Sequence, residues 1–218
     1  MMKKMMTKTK MMKINKPKIT YLDEELLSKM IDNDEYYNKE IINDIDYDIT
    51  LSNKTFSSCV FKNITFDHIT FHNVSFMDTI FIDCDMSNLD LSNINITRVT
   101  FTNTKLTGVS FYKSTLKDVV ITDSIAYYLD LSYANASNVE FNNVKLIESI
   151  FSNSILKNVN ILNSDLSKSE FMYVTHNNLD LSSDIISSVR FNEKTLKGLN
   201  VSYDGARDIA SMLGVIVK

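Results

Sequence analysis

Three histidines and two cysteines are the residues of this chain best suited to acid–base, nucleophilic or metal chemistry. Their placement argues against all three. His68 and His72 lie four residues apart beside Asp67, and a zinc site needs three or four converging ligands, so they read as a solvated surface pair without a convincing third partner. His176 falls at a position whose counterparts along the chain are large and apolar, which suits a hydrogen-bonded core histidine or a local distortion better than a ligand. Cys59 and Cys84 occupy small inward positions, where a thiol is normally inert. No glycine-rich phosphate loop or nucleophile elbow occurs. The expectation is a protein that is no enzyme, with no catalytic residues, cofactor or metal.

The elements around these residues are constrained by composition. The 218 residues include 23 Lys plus Arg against 27 Asp plus Glu, net −4, with four Gly, one Pro and 23 Asn. So little Gly and Pro argues against a fold of many tight hairpins. No apolar run approaches the roughly 18 residues of a membrane span, and two cysteines cannot build a disulfide framework. The chain reads as soluble and cytoplasmic. Its Lys- and Met-rich start lacks the apolar core of a signal peptide, and Met11 or Met12 is an alternative first residue.

Every fifth residue from Leu51 to Val201 is large and apolar with few exceptions, 31 positions without a phase slip, and all 12 Phe lie on this comb. The position two earlier is small or apolar, as at Cys59, Ile64, Val99 and Val109. The position two later is Asn twelve times, from Asn53 to Asn178. A period of five fits neither the 3.6 of a helix nor the 2.0 of a strand. It describes a short extended piece followed by a corner, and Asn suits the corner because it tolerates turn geometry and bonds nearby backbone.

These residues resemble the pentapeptide repeat proteins over roughly residues 49–201. The resemblance implies an all-β fold, a right-handed quadrilateral β-helix with four pentapeptides per coil. The 31 units make nearly eight coils, a rod roughly 35 Å long at about 4.8 Å per coil. The expected organisation is a basic disordered tail (1–18), an acidic N-terminal cap with a short helix around Glu24 to Ile31 (19–48), the β-helix (49–201) and a C-terminal cap (202–218). In that cap Ser202 starts a helix of about 203–213, Gly214 stops it, and Val215 to Val217 form a strand-like tail. It serves either as a lid alone or as a lid that is also a two-fold dimer contact.

Stretches such as RVTF at 98–101, VEFNN at 139–143, LDLS at 179–182 and the ending ASMLGVIVK, with MKINKPKI from Met12, look like the Gram-positive Qnr-like quinolone-resistance proteins. That resemblance implies a protein binding DNA gyrase or topoisomerase IV and protecting it from fluoroquinolones, as a homodimer through Ile209, Met212, Leu213, Val215, Ile216 and Val217. It implies no direct nucleic-acid, membrane or small-molecule partner. The unbroken comb lacks the long loop insertions of some members. DNA carries one charge per about 1.7 Å, so a rod imitating it fully needs about 20 net negatives. Residues 49–201 hold 15 acids and 12 bases, which leaves room only for partial mimicry. Asp83 and Asp123 share one column with Asn103, and Asp90, Asp130 and Glu170 share another. Tyr112, Tyr127, Tyr128, Tyr133 and Tyr173, with Ile147 and Met172 near, form the candidate partner-binding patch. The alternative function is a scaffold binding some other protein through these tyrosines, and ordinary β-helix decoration also accounts for them.

Overall fold

A computed structural model describes residues 12–217. Comb side chains point inward, and all 12 phenylalanines are buried. Coils pair in parallel at a fixed offset of 20 residues, so Asn95 lies beside Ser75 on one side and Thr115 on the other. Like residues therefore stack on like. Phe61, Phe81 and Phe101 form a column with ring centroids 4.8 and 4.9 Å apart and planes within 11°, and Phe151 stacks on Phe171 at 4.3 Å. The spacing follows the inter-strand distance of any β-sheet.

The four sides differ. Five eight-residue strands, Ser75–Ile82, Asn95–Thr102, Thr115–Thr122, Asn135–Asn142 and Ile155–Leu162, each cover two sides and bend between them. The other two sides are turns, closed by bonds such as Val109 N–H to Leu106 O at 3.2 Å and Ser114 N–H to Phe111 O at 3.0 Å. At the corners the backbone is left-handed: φ is between 49° and 62° at 26 described non-glycine residues, all two positions after a comb residue. Asn, Asp and Gly accept this conformation at little cost, which explains the Asn bias.

The structure is a parallel β-solenoid of about nine turns rather than eight. The ladder begins before residue 49: Tyr36 pairs with Phe56, stacking at 5.6 Å, and Ile41 pairs with Phe61. The comb is hidden there because Asp46 occupies its position and Ile45 packs against the core instead. The expected Glu24 to Ile31 helix is half strand, since Asp23–Leu26 pairs with Lys39–Ile42, and only Leu27–Ile31 is a 3-10 turn. Lys54 closes that turn, its buried Nζ donating to Ile31 O and Asn33 O.

Residues 12–18, expected within a disordered tail, form an extended strap along one corner of the rod, while residues 1–11 lie outside the described residues. Lys18 N–H donates to Asp78 at 3.0 Å, and Asn15 donates to Asp118 through its backbone at 3.3 Å and its side chain at 3.0 Å. Three extended residues span about 10 Å, matching the two coils between Asp78 and Asp118.

At the far end the comb gives way to a helical turn, Glu193–Leu196, capped by Asn192. With few strands left to pair beyond it, the backbone there satisfies its hydrogen bonds locally. The helix Tyr203–Met212 follows, with Ser202 Oγ accepting from Gly205 N–H at 3.0 Å and Gly214 at φ 84° ending it. Gly205 lets the helix sit against Ile186, whose Cδ1 would lie 2.8 Å from an added Cβ. Residues 215–217 form no strand; Val215 N–H instead donates back to Ala210 O.

Under this lid Asp184 ends an inner polar column. It accepts from Ser164 N–H at 2.8 Å through Oδ1, but its buried Oδ2 has no partner. Burial pushes its carboxyl up to about 6. A carboxyl raised in the folded state binds its proton more tightly there, so stability is gained as pH falls through about 6 and lost as it rises. The thermal midpoint is expected to rise by several degrees between pH 7.5 and pH 5 through this group, and Asp184→Asn should flatten that segment of the profile, as read by calorimetry.

Candidate functional site

Of the residues that could do chemistry, His68 and His176 are hydrogen-bonded within the rod and both cysteines are buried. His176 Nε2–H donates to Thr195 O at 2.7 Å while Nδ1 accepts from Leu179 N–H, which fixes one tautomer inside the last coils. His68 Nδ1 lies 2.9 Å from Asp48, and the hydrogen bond to that carboxylate, with Asp67 nearby, raises its pKa. His72 is exposed on the neighbouring corner. Cys59 and Cys84 are buried, and desolvation pushes both thiols up to about 11. Among the described residues no group of three or more His, Cys, Asp or Glu converges on a metal-sized site. None of the described helices is long and apolar enough to cross a membrane.

The surface is more informative. One side of the rod carries an unbroken outward column, Asp90, Ser110, Asp130, Ile150, Glu170 and Arg190, bridged in parallel from coil to coil. Tyr128 stands on the corner before this side, and Tyr133 and Tyr173 on the corner after it, each at least half exposed. Tyr112 meets Tyr133 edge-on with centroids 5.7 Å apart, and Lys113 Nζ sits 5.0 Å over the Tyr112 ring. Tyr127 is half-buried beside Tyr128, as is Ile147 one coil further on. Both parts of the sequence-derived patch thus border a single side.

The carboxylates on this side are partly spoken for. Asp90 and Asp130 accept from the N–H two residues on, at Ser92 and Ser132. Glu170 accepts from Ser152 Oγ at 2.6 Å and pairs with Arg190. The Asp83 and Asp123 column on another corner is an amide ladder, with Asn103 donating to Asp83 and Asn143 to Asp123 at 2.6 Å each. Neither column is a free acidic stripe.

The tyrosines stand in conformations that resist them. Tyr128, Tyr133 and Tyr173 have φ of 57°, 59° and 60°, where a bulky residue costs about 1 kcal/mol or more relative to Asn or Gly. Asn is the commonest residue at the equivalent corners. These three bulky aromatics are kept against that preference and left at least half exposed.

The proposed dimer residues divide. Ile209 packs on the core, and Met212 Sδ accepts from Phe191 N–H, so both serve mainly the lid. Leu213, Val215, Ile216 and Val217 are exposed, Ile216 by 84%. The strap over Asp78 and Asp118 was not anticipated. Its signal lay in the alternation Met12, Ile14, Pro17, Ile19 and in acids placed 40 residues apart on an otherwise Asn-rich column.

A parallel solenoid of stacked five-residue units, one side of it bordered by tyrosines, defines a repeat-built scaffold. Residues 94–171 match the family model described as a pentapeptide repeat region, and the five-residue comb continues on both sides of that match. Residues 35–125 also match a model described as the SV2A/B/C luminal domain. No curated protein matches. Similar solved structures include the pentapeptide repeat protein Rfr23 from the cyanobacterium Cyanothece 51142, 14% identical with a TM-score of 0.36 over 54% of this chain and 91% of that one. They include QnrB1, a plasmid-mediated fluoroquinolone resistance protein, 13% identical with a TM-score of 0.32 over 90% and 92%. HetL, involved in heterocyst differentiation regulation in Nostoc sp. strain PCC 7120, is 15% identical with a TM-score of 0.25 over 85% and 89%.

Replacing Tyr133 and Tyr173 by Asn should raise stability by about 0.5–1 kcal/mol each, because Asn relieves the corner strain. Urea unfolding measures it; a loss of stability would show that the rings are structural.

Proposed function

We propose that this protein is a non-enzymatic cytoplasmic binding protein that associates with a type II topoisomerase, DNA gyrase or topoisomerase IV, and protects it from fluoroquinolones. The observation that carries the binding role is the side bordered by Tyr128, Tyr133 and Tyr173, three exposed rings on strained corners of a rigid rod. The choice of partner rests on the motifs that resemble the Qnr-like proteins, among them RVTF at 98–101 and the ending ASMLGVIVK. Partial rather than full DNA mimicry fits the charge, since the acids of the two columns are largely bonded within the rod. A scaffold contacting a different protein through the same rings is the second reading, favoured by the mixed aromatic and polar character of that side.

Dimerisation through the exposed end at Leu213, Val215 and Ile216 belongs to the same proposal, since a second copy would cover these side chains in a self-complementary contact. Leu213→Lys with Ile216→Lys should halve the mass seen by light scattering; an unchanged mass sinks the C-terminal contact. In supercoiling by purified gyrase with ciprofloxacin, a modest excess of the protein is expected to restore activity, less so at higher salt. Replacing Tyr128, Tyr133 and Tyr173 together by Asn should abolish the rescue. No rescue by the unaltered protein would reject the topoisomerase reading and leave the scaffold.

A further inference from the structure

The strap is a peptide bound in a groove of its own protein. Residues 12–20 run antiparallel to the direction in which the coils advance, from Asn158 and Asn138 near Met12 and Lys13, past Asp118 and Asp78, to Asn38, whose Oδ1 accepts from Thr20 Oγ1 at 3.4 Å. The contacts read backbone. Asp78 and Asp118 accept N–H groups three residues apart on the strap, and their own separation of two coils matches that step. Both carboxylates are held in place from within the rod, Asp78 by a two-bond pairing with Arg98 at 2.6 Å and Asp118 by Asn138 Nδ2 at 3.1 Å. Burial pushes both up, and these hydrogen bonds with those from the strap more than offset it, keeping both below the usual carboxylate value.

The strap is held lightly. Met12, Ile14, Pro17 and Ile19 are half-buried and none is fully buried, and its three lysines close no ion pair among the described residues. Such a segment opens at far lower cost than the stacked coils beneath it. The groove does not stop where the described strap begins: a cavity of about 450 Å³ continues it beside Met12, walled by Asn158, Asn177 and Asn178.

We propose that this corner groove is a binding site for an extended, non-acidic segment of a partner protein, and that residues 12–20 occupy it as an internal competitor that the partner displaces. Two groove carboxylates that accept backbone N–H groups, against a strap with Lys13, Lys16 and Lys18 and no acid, set that chemistry. The site lies on a different corner from the tyrosines and does not depend on which protein the partner is.

A tethered strap has a high effective concentration, so a free peptide must bind the intact protein more weakly than one whose strap is loosened. The probe is a fluorescent, end-blocked peptide of residues 12–20. In the full chain, Asn15→Pro with Lys18→Pro removes the strap's three carboxylate bonds, two backbone and one side-chain, without touching the groove. Anisotropy titration should give at least tenfold tighter peptide binding to this variant than to the unaltered protein. Adding Asp118→Gly, which keeps the corner conformation, should remove most of that gain, with circular dichroism confirming the fold. Equal affinities, no binding to the loosened variant, or binding indifferent to Asp118→Gly would each overturn the proposal. A concentration-dependent doubling of mass in the loosened variant would assign the groove to a second copy and overturn it as well.

Discussion

Everything in this molecule depends on one register: each backbone segment bonds to the segment 20 residues before it and 20 after. Because the offset never changes across the central coils, side chains of equal phase fall above one another. A period that would be mere composition in an isolated peptide becomes columns of stacked rings, continuous amide ladders and repeated corners. The same register leaves each coil touching only its neighbours, so no coil buries enough surface to stand alone. The ends must be handled separately, by the Lys54-closed turn at one and the helix over Ile186 at the other.

That register made the middle of the fold legible and its ends obscure. From Leu51 onward the comb states which side chains face inward, because five-residue spacing has one structural solution over so long a run. Upstream, the displacement of an apolar residue by a single place, Ile45 for Asp46, hides a coil that pairs normally through Tyr36 and Ile41. Downstream, Leu196 keeps comb phase while sitting in a helical turn, since periodicity reports burial and not which backbone conformation achieves it. Ile209 and Leu213 look alike in sequence, and only packing separates the one against the core from the one left exposed.

The surface was legible in part. The tyrosines could be grouped by column, but their significance comes from backbone geometry: Tyr128, Tyr133 and Tyr173 hold a left-handed conformation that Asn holds elsewhere more cheaply. Charge counts overstated the freedom of the acids, because a carboxylate at these positions turns to its own backbone or to an amide one coil away. The strap left only a faint trace in the sequence for a related reason. Its partners are 60 and 103 residues distant, and short alternation in a basic segment carries no record of them.

The corner every five residues has an evolutionary consequence. Losing or gaining one pentapeptide would still leave one large side chain per unit pointing inward, yet it would turn everything downstream by a quarter revolution about the long axis, exchanging strand sides for turn sides. Such an event between Asp78 and Asp118 would carry the second carboxylate to a different corner and split the strap's track. Lineages of this fold can thus reshuffle which chemical groups share an edge in a single genetic step, and only insertions in multiples of 20 preserve a surface once it has acquired a use.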